Sequence, residues 1–153
     1  MESPESPTRS TPPRWFLVVS IVALVWTLLG LLSFIMDPLT SEAALAEMTE
    51  VQREIFESRP TWLFVVYGIS VLSGLAGAIG LLMRRGWAVP AFAVSLAFIV
   101  IQFGYVLFGL NALGLLGPLE ALPLPLVILT FGVLLLWLSL HARREGWIGS
   151  HAG

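Results

Sequence analysis

Thr27, Tyr67, Gln102 and Thr130 are polar residues set deep inside four long apolar stretches of this chain. Counted inward at ~1.5 Å per helical residue, each lies roughly 9–14 Å from the same end of its stretch. Ser70 and Tyr105 fall close to that level, and Asn111 and Glu120 follow in the loop beyond it. Hydroxyls, phenols and carboxamides carry no charge near neutral pH, so this layer is suited to hydrogen bonding. It can join helices to one another, at about 0.6–2 kcal/mol per contact. Alternatively it can bound an outward-facing pocket for a neutral polar ligand, floored by the layer and rimmed by Asn111 and Glu120. Depth alone leaves both readings open.

Other chemistries lack their parts. There is no cysteine, which removes disulfides, thiolate metal sites and cysteine nucleophiles. The interiors of the apolar stretches carry no Asp, Glu, Lys, Arg or His, the usual mark of proton relays and ion coupling. His141 and His151 are isolated, no Ser-His-Asp set or phosphate-cradling glycine loop is present, and a metal site would need more ligands than these. We therefore expect no catalytic residues, no metal, no cofactor and no enzymatic activity. The net charge is -2 and no basic stripe interleaves with aromatics, so no nucleic-acid partner is expected.

The elements that must position the polar layer are membrane spans. Of the 153 residues, 57% are hydrophobic and 12% charged, against roughly 45–50% and about 25% in soluble domains. Four segments are long and apolar enough to cross a bilayer as helices: 15–36, 61–83, 87–110 and about 124–142. The first contains fourteen Leu, Ile, Val or Phe, which sum to about -4 to -8 kcal/mol on the insertion scale. It is too long, and too far from "ALA" at 44–46, to read as a cleaved signal peptide. The fold class predicted is an all-α membrane protein with four transmembrane helices.

Arginine placement predicts the direction. Arg9, Arg14, Arg84, Arg85, Arg143 and Arg144 fall on one side, Arg53 and Arg59 on the other. The richer side is expected in the cytoplasm of the inner membrane, with both termini there. The phrase Arg84-Arg85-Gly86-Trp87 returns as Arg143-Arg144-Glu145-Gly146-Trp147. It reads as a repeated membrane anchor, with Trp15 as a third ring: arginines in water, tryptophan at the headgroups, glycine turning the chain. An anionic-lipid contact is its functional alternative. Residues 1–14, rich in Pro, Ser and Thr, are expected to be a disordered cytoplasmic leader, 15–144 the membrane domain and 145–153 a cytoplasmic tail.

Three further patterns shape the bundle. Leu45, Met48, Val51 and Ile55 share one face of an outer amphipathic helix expected at about 41–57, ended by Pro60. Its acidity suits a cap on the bundle. In the second span, Ser70, Gly74 and Ala78 form one small-residue row, and Ser73 and Gly77 another. Such rows let backbones approach closely and place this span against more than one neighbour. Finally, "VSIVALVWT" at 19–27 echoes "VSLAFIVIQ" at 94–102, an offset of 75 residues that would make the halves a parallel repeat.

The chain resembles a group of small four-helix bacterial inner-membrane proteins, some bearing the label "sugar transporter". The likeness runs through Trp26-x3-Gly30, Phe56-x3-Pro60-x-Trp62, Gly74, Gly77, Gly80-Leu-Leu with Arg84-Arg85, and "WAVPAFAVSL" at 87–96. Members often carry Tyr at the position of Phe56, so no hydrogen-bonding role is implied for it here. The resemblance implies a four-span bundle and no particular functional residue. The function expected is a non-enzymatic structural or partner-binding bundle in the lipid bilayer, as a homo-oligomer or with another membrane protein. The alternative is a small-solute carrier or channel, of sugar for instance, working as an oligomer.

A reporter active only outside the cytoplasm should work when fused after Glu57 and fail after Arg85. The reverse pattern would overturn the arginine reading.

Overall fold

A helix that is apolar on every face has no side to offer water and must be covered by lipid or protein. In the computed structural model, which describes residues 10–149, the four apolar stretches are such helices. In chain order the elements are α1 (Arg14–Met36), α2 (Glu42–Glu47), α3 (Glu50–Glu57), α4 (Thr61–Leu82), α5 (Ala88–Gly104), α6 (Ala112–Leu116), α7 (Pro118–Ala121) and α8 (Pro123–Arg144). A 3₁₀ turn at Asp37–Leu39 prolongs α1, and a π-turn at Tyr105–Gly109 prolongs α5. With these extensions α1, α4, α5 and α8 are 26, 22, 22 and 22 residues long, each long and apolar enough to cross a membrane. The architecture is that of a multi-pass, all-α membrane protein. Leu17, Val18, Ile21, Val25, Leu28 and Leu32 line one side of α1 and are all exposed, as lipid-facing side chains should be. Residues 1–9 of the expected leader and 150–153 of the expected tail, including Arg9 and His151, lie outside the described residues.

The small-residue span is central. α4 packs most extensively against α5 and also against α1, while α5 packs against α8 on its other side. The reason is visible atom by atom. A Cβ added to Gly77 would stand 2.8 Å from the Phe92 ring, and one on Gly74 would stand 3.0 Å from Ser95 Oγ. The Ser95 hydroxyl donates to the Ser70 carbonyl at 2.7 Å, tying α5 to α4. Ser70, Gly74, Gly77 and Ala78 are buried between α4 and its neighbours. Half-buried Ser73 donates to the Ile69 carbonyl of its own helix. The Ser70–Gly74–Ala78 row, with Gly77 from the other, serves contacts within one chain.

The bundle is packed unevenly along its length. Phe16, Ala78, Leu81, Ala88, Phe92, Leu138 and Ala142 form a dense core in the half near the termini. Ile148, only 2% exposed, is tucked into that core. Arg84 holds this end together. Its Nε donates to the Trp147 carbonyl at 2.8 Å and its Nη2 to the Ser10 carbonyl at 2.9 Å, while Gly149 N–H donates to the Arg84 carbonyl at 3.0 Å. Arg84 is therefore a clamp between the segments that hold Ser10 and Trp147. It adopts φ +57°, which makes it, and not Gly86, the turning residue of the first Arg-Arg-Gly-Trp copy. In the second copy the glycine does turn the chain, Gly146 at φ +75°.

At the opposite end the expected single helix over 41–57 is two helices, α2 and α3. Met48 is extended, and Thr49 starts α3 with a capping box: its hydroxyl accepts from Gln52 N–H, whose side chain accepts from Thr49 N–H. Two satisfied termini replace one continuous ladder. The predicted stripe survives the break, with Ile55 buried and Leu45, Met48 and Val51 partly buried. The proline-rich loop before α8 folds into α6 and α7, and α3 meets α6 across it.

Overfilling the α4–α5 contact should be costly. Gly77→Val is expected to lower stability by about 1–3 kcal/mol, read as a depressed thermal midpoint in detergent. Gly30→Ala, whose new methyl meets nothing within 4 Å, should leave that midpoint unchanged or slightly raised. Equal midpoints for the two variants would contradict a close α4–α5 contact at Gly77.

A candidate ligand cavity between the four spans

Where the dense core ends, a cavity of about 390 Å³ begins, lined by residues of α1, α4, α5 and α8. That volume lies within the range of small-molecule sites, roughly 300–1,000 Å³. Phe92 and Leu135 stand at its inner end, where they join the packed core. Trp26, Val71, Ile99 and Phe103 supply apolar wall, and Asp37 and Arg59 stand at the end facing α2 and α3. The cavity occupies only the half of the bundle away from the termini.

Four residues of the predicted polar layer meet here: Thr27, Tyr67, Ser70 and Gln102. They do not offer the same chemistry. Thr27 donates to the Leu24 carbonyl at 3.0 Å and Ser70 to the Tyr67 carbonyl at 2.8 Å, so both protons are committed within their helices. Their oxygens keep lone pairs. Gln102 and the Tyr67 hydroxyl make no hydrogen bond among the described residues, and no buried side-chain polar atom there is left unpartnered. Both residues line the cavity, and their polar atoms are accessible rather than sealed in the packing. Tyr67 is steadied by the edge of its ring against Phe34, centroids 5.2 Å apart at 88°. Thr27 and Gln102 end the two echoing sequence stretches, and both reach the same hollow.

The other members of the layer lie elsewhere. Thr130 is on the exposed face of α8, its hydroxyl donating to the Leu126 carbonyl at 2.7 Å. Depth is set by the residue's position along the helix, whereas direction is set by its angle around it, and depth does not fix that angle. Tyr105 begins the π-turn and packs edge-on against Trp62, 4.7 Å between centroids. Its ring also lies over Gly109, where a Cβ would be 2.7 Å away. Asn111 takes φ +56° to start α6, a left-handed conformation that asparagine tolerates. Glu120 is exposed on α7 and accepts from the Gln52 side chain of α3. It links α3 to the loop before α8 and does not line the cavity.

The charged pair at the cavity's end did not belong to the predicted layer. Arg59 donates through Nη1 and Nη2 to Asp37 Oδ1, both at 3.2 Å, and through Nη2 to Oδ2 at 3.1 Å. Its Nε donates to the Phe56 carbonyl at 3.2 Å, and its guanidinium carbon lies 4.1 Å from the Phe56 ring centroid. The pair joins the end of α1 to the start of α4, with side chains 21% and 28% exposed. The clue in sequence is that Asp37-Pro38 and Arg59-Pro60 bring opposite charges to the same ends of consecutive spans. Ser95 was also missed, since its carbonyl partner on another helix leaves no local pattern.

Among the described residues no group of three or more His, Asp or Glu could hold a metal. His141 stacks on Trp137, with centroids 5.2 Å apart at 3°, and meets the edge of Trp147. No protein-family model matches the chain, and neither a curated protein nor a solved structure matches it.

The Asp37–Arg59 pair should be measurably coupled. A double-mutant cycle with Asp37→Asn and Arg59→Gln is expected to return about 1–3 kcal/mol, between exposed and buried ion pairs. A coupling near zero would mean that the pair does not hold α1 to α4.

Proposed function

We propose that this chain is a non-enzymatic protein of the bacterial inner membrane that binds a small, uncharged polar molecule between its four spans. The observation that carries this reading is the cavity, with Tyr67 and Gln102 facing it unpartnered. A side-chain amide and a phenol can each donate and accept, which matches ligand hydroxyls. Trp26 and Phe103, both in the lining and neither fully buried, offer apolar ring surface to the C–H faces of the same ligand. Together these suit a sugar ring or a polyol better than an ion.

The arginine distribution supports placing both termini in the cytoplasm, so that the cavity opens on the outer side beneath α2 and α3. Carriage across the membrane would then require the dense half around Ala78 and Leu138 to part, giving a carrier that alternates rather than a continuous channel. The site lies within a single chain, so binding itself needs no second copy. A homo-oligomer, or another membrane protein beside it, would serve the transport step instead. The purely structural reading has less support, because Ser70, Gly74, Gly77 and Ala78, the small residues it would use, are already buried within the chain.

Native mass spectrometry of protein extracted gently from its own membrane tests the proposal. The wild type should retain a small polar solute. Gln102→Leu should reduce retention by about tenfold, the value of roughly one hydrogen bond, with its thermal midpoint unchanged. If Gln102→Leu instead unfolds the protein and the wild type retains no solute, Gln102 serves folding and the binding reading fails.

A further inference from the structure

α1 and α8 close the ring of helices more loosely than the other neighbours, and a second hollow lies on their outer seam. It measures about 280 Å³ and its walls are apolar throughout, among them Trp15, Val19, Val22, Phe131, Leu134 and Trp137. Val22, Leu134 and Trp137 are each more than half exposed. Phe131 of the groove stacks on Trp26 of the central cavity with centroids 4.1 Å apart at 11°, and this pair, with Leu135 that borders both, stands between the two hollows. The groove therefore belongs to the lipid side of the bundle.

We propose that this groove seats one acyl chain of an anionic phospholipid, with its headgroup on the basic end of α8 and α1. The groove runs along α1 from Val22 and Ala23 back to Trp15, that is, from mid-membrane toward the termini. At that end stand Arg14, Arg143 and Arg144, all exposed and none in an ion pair among the described residues. Arg144 follows Trp137 by seven residues and so lies on the same face of α8. His141 lies between them on that face, its ring flat against Trp137. An apolar slot two to three turns long ending in three cationic groups matches a diacyl lipid with a negative headgroup. A zwitterionic lipid would gain the slot but not the charge.

The test is native mass spectrometry of the full chain reloaded with equimolar phosphatidylglycerol and phosphatidylcholine, with the thermal midpoint as a folding control. Phosphatidylglycerol should be retained in preference. Arg144→Gln should lower phosphatidylglycerol retention by about fivefold, the effect of one arginine at an anionic membrane surface, and leave phosphatidylcholine unchanged. Val22→Trp, which fills the slot from an exposed position, should reduce retention of both lipids. Equal retention of the two lipids by the wild type would overturn the proposal. So would retention unaffected by Val22→Trp in a folded protein, or a lipid-free dimer that Val22→Trp dissociates. None of these results depends on what the central cavity binds.

Discussion

The close approach of α4 to its neighbours sets the shape of everything else. Two helices free of large side chains at their contact can bring backbones together, and dispersion contacts then accumulate along the whole seam. Gly74 and Gly77 permit this against Ser95 and Phe92, and the Ser95–Ser70 hydrogen bond is short because the backbones are near. In hydrocarbon there is no hydrophobic drive to push helices together. Steric fit therefore decides where the bundle is tight and where it opens. Beyond Ser70, toward the start of α4, the one remaining glycine is Gly68, and it faces Phe34 of α1 rather than α5. The seam widens there and the cavity begins.

This asymmetry along the membrane normal gives the protein two different ends. One is closed by a continuous apolar core that extends into the chain's last described residues. The other is hollow and finished by polar devices: the Asp37–Arg59 pair, the capping box of α3 and the Gln52–Glu120 link. A half-buried ion pair is a poor source of net stability, since desolvation offsets much of the attraction. Its value here is positional. Arg59, held by Asp37, by the Phe56 carbonyl and by the Phe56 ring, fixes how α4 enters the bundle next to the end of α1.

The closed end depends on a residue in an unfavourable conformation. A non-glycine residue at φ +57° costs of order 1 kcal/mol relative to a relaxed backbone. Arg84 tolerates this because the same turn lets its guanidinium reach carbonyls from both chain ends. A glycine would relax the turn and lose the clamp. The second Arg-Arg-Gly-Trp copy has no such duty and uses Gly146 for its turn. Two similar phrases thus differ in which residue bends the chain.

Hydropathy and charge along the chain determined the four spans, their boundaries to within three residues of the extended helices, and the amphipathic stripe of the capping segment. Those features depend on the period of the helix and the thickness of a bilayer, both of which are local or external to the fold. The small-residue rows on α4 were equally legible, because they need only spacing. What the sequence left undecided was rotation: Thr27, Tyr67, Ser70 and Gln102 turn toward one hollow, whereas Thr130, at the same depth, turns outward. The break at Met48 was within reach, for Thr49-x-x-Gln52 is a capping signature. The Asp37–Arg59 pair, the Ser95–Ser70 bond and the reach of Arg84 to Ser10 and Trp147 join residues 22 to 74 positions apart. Only tertiary structure decides such contacts, because they follow from how each helix is turned about its axis, and that is fixed by its packing partners and not by its own periodicity.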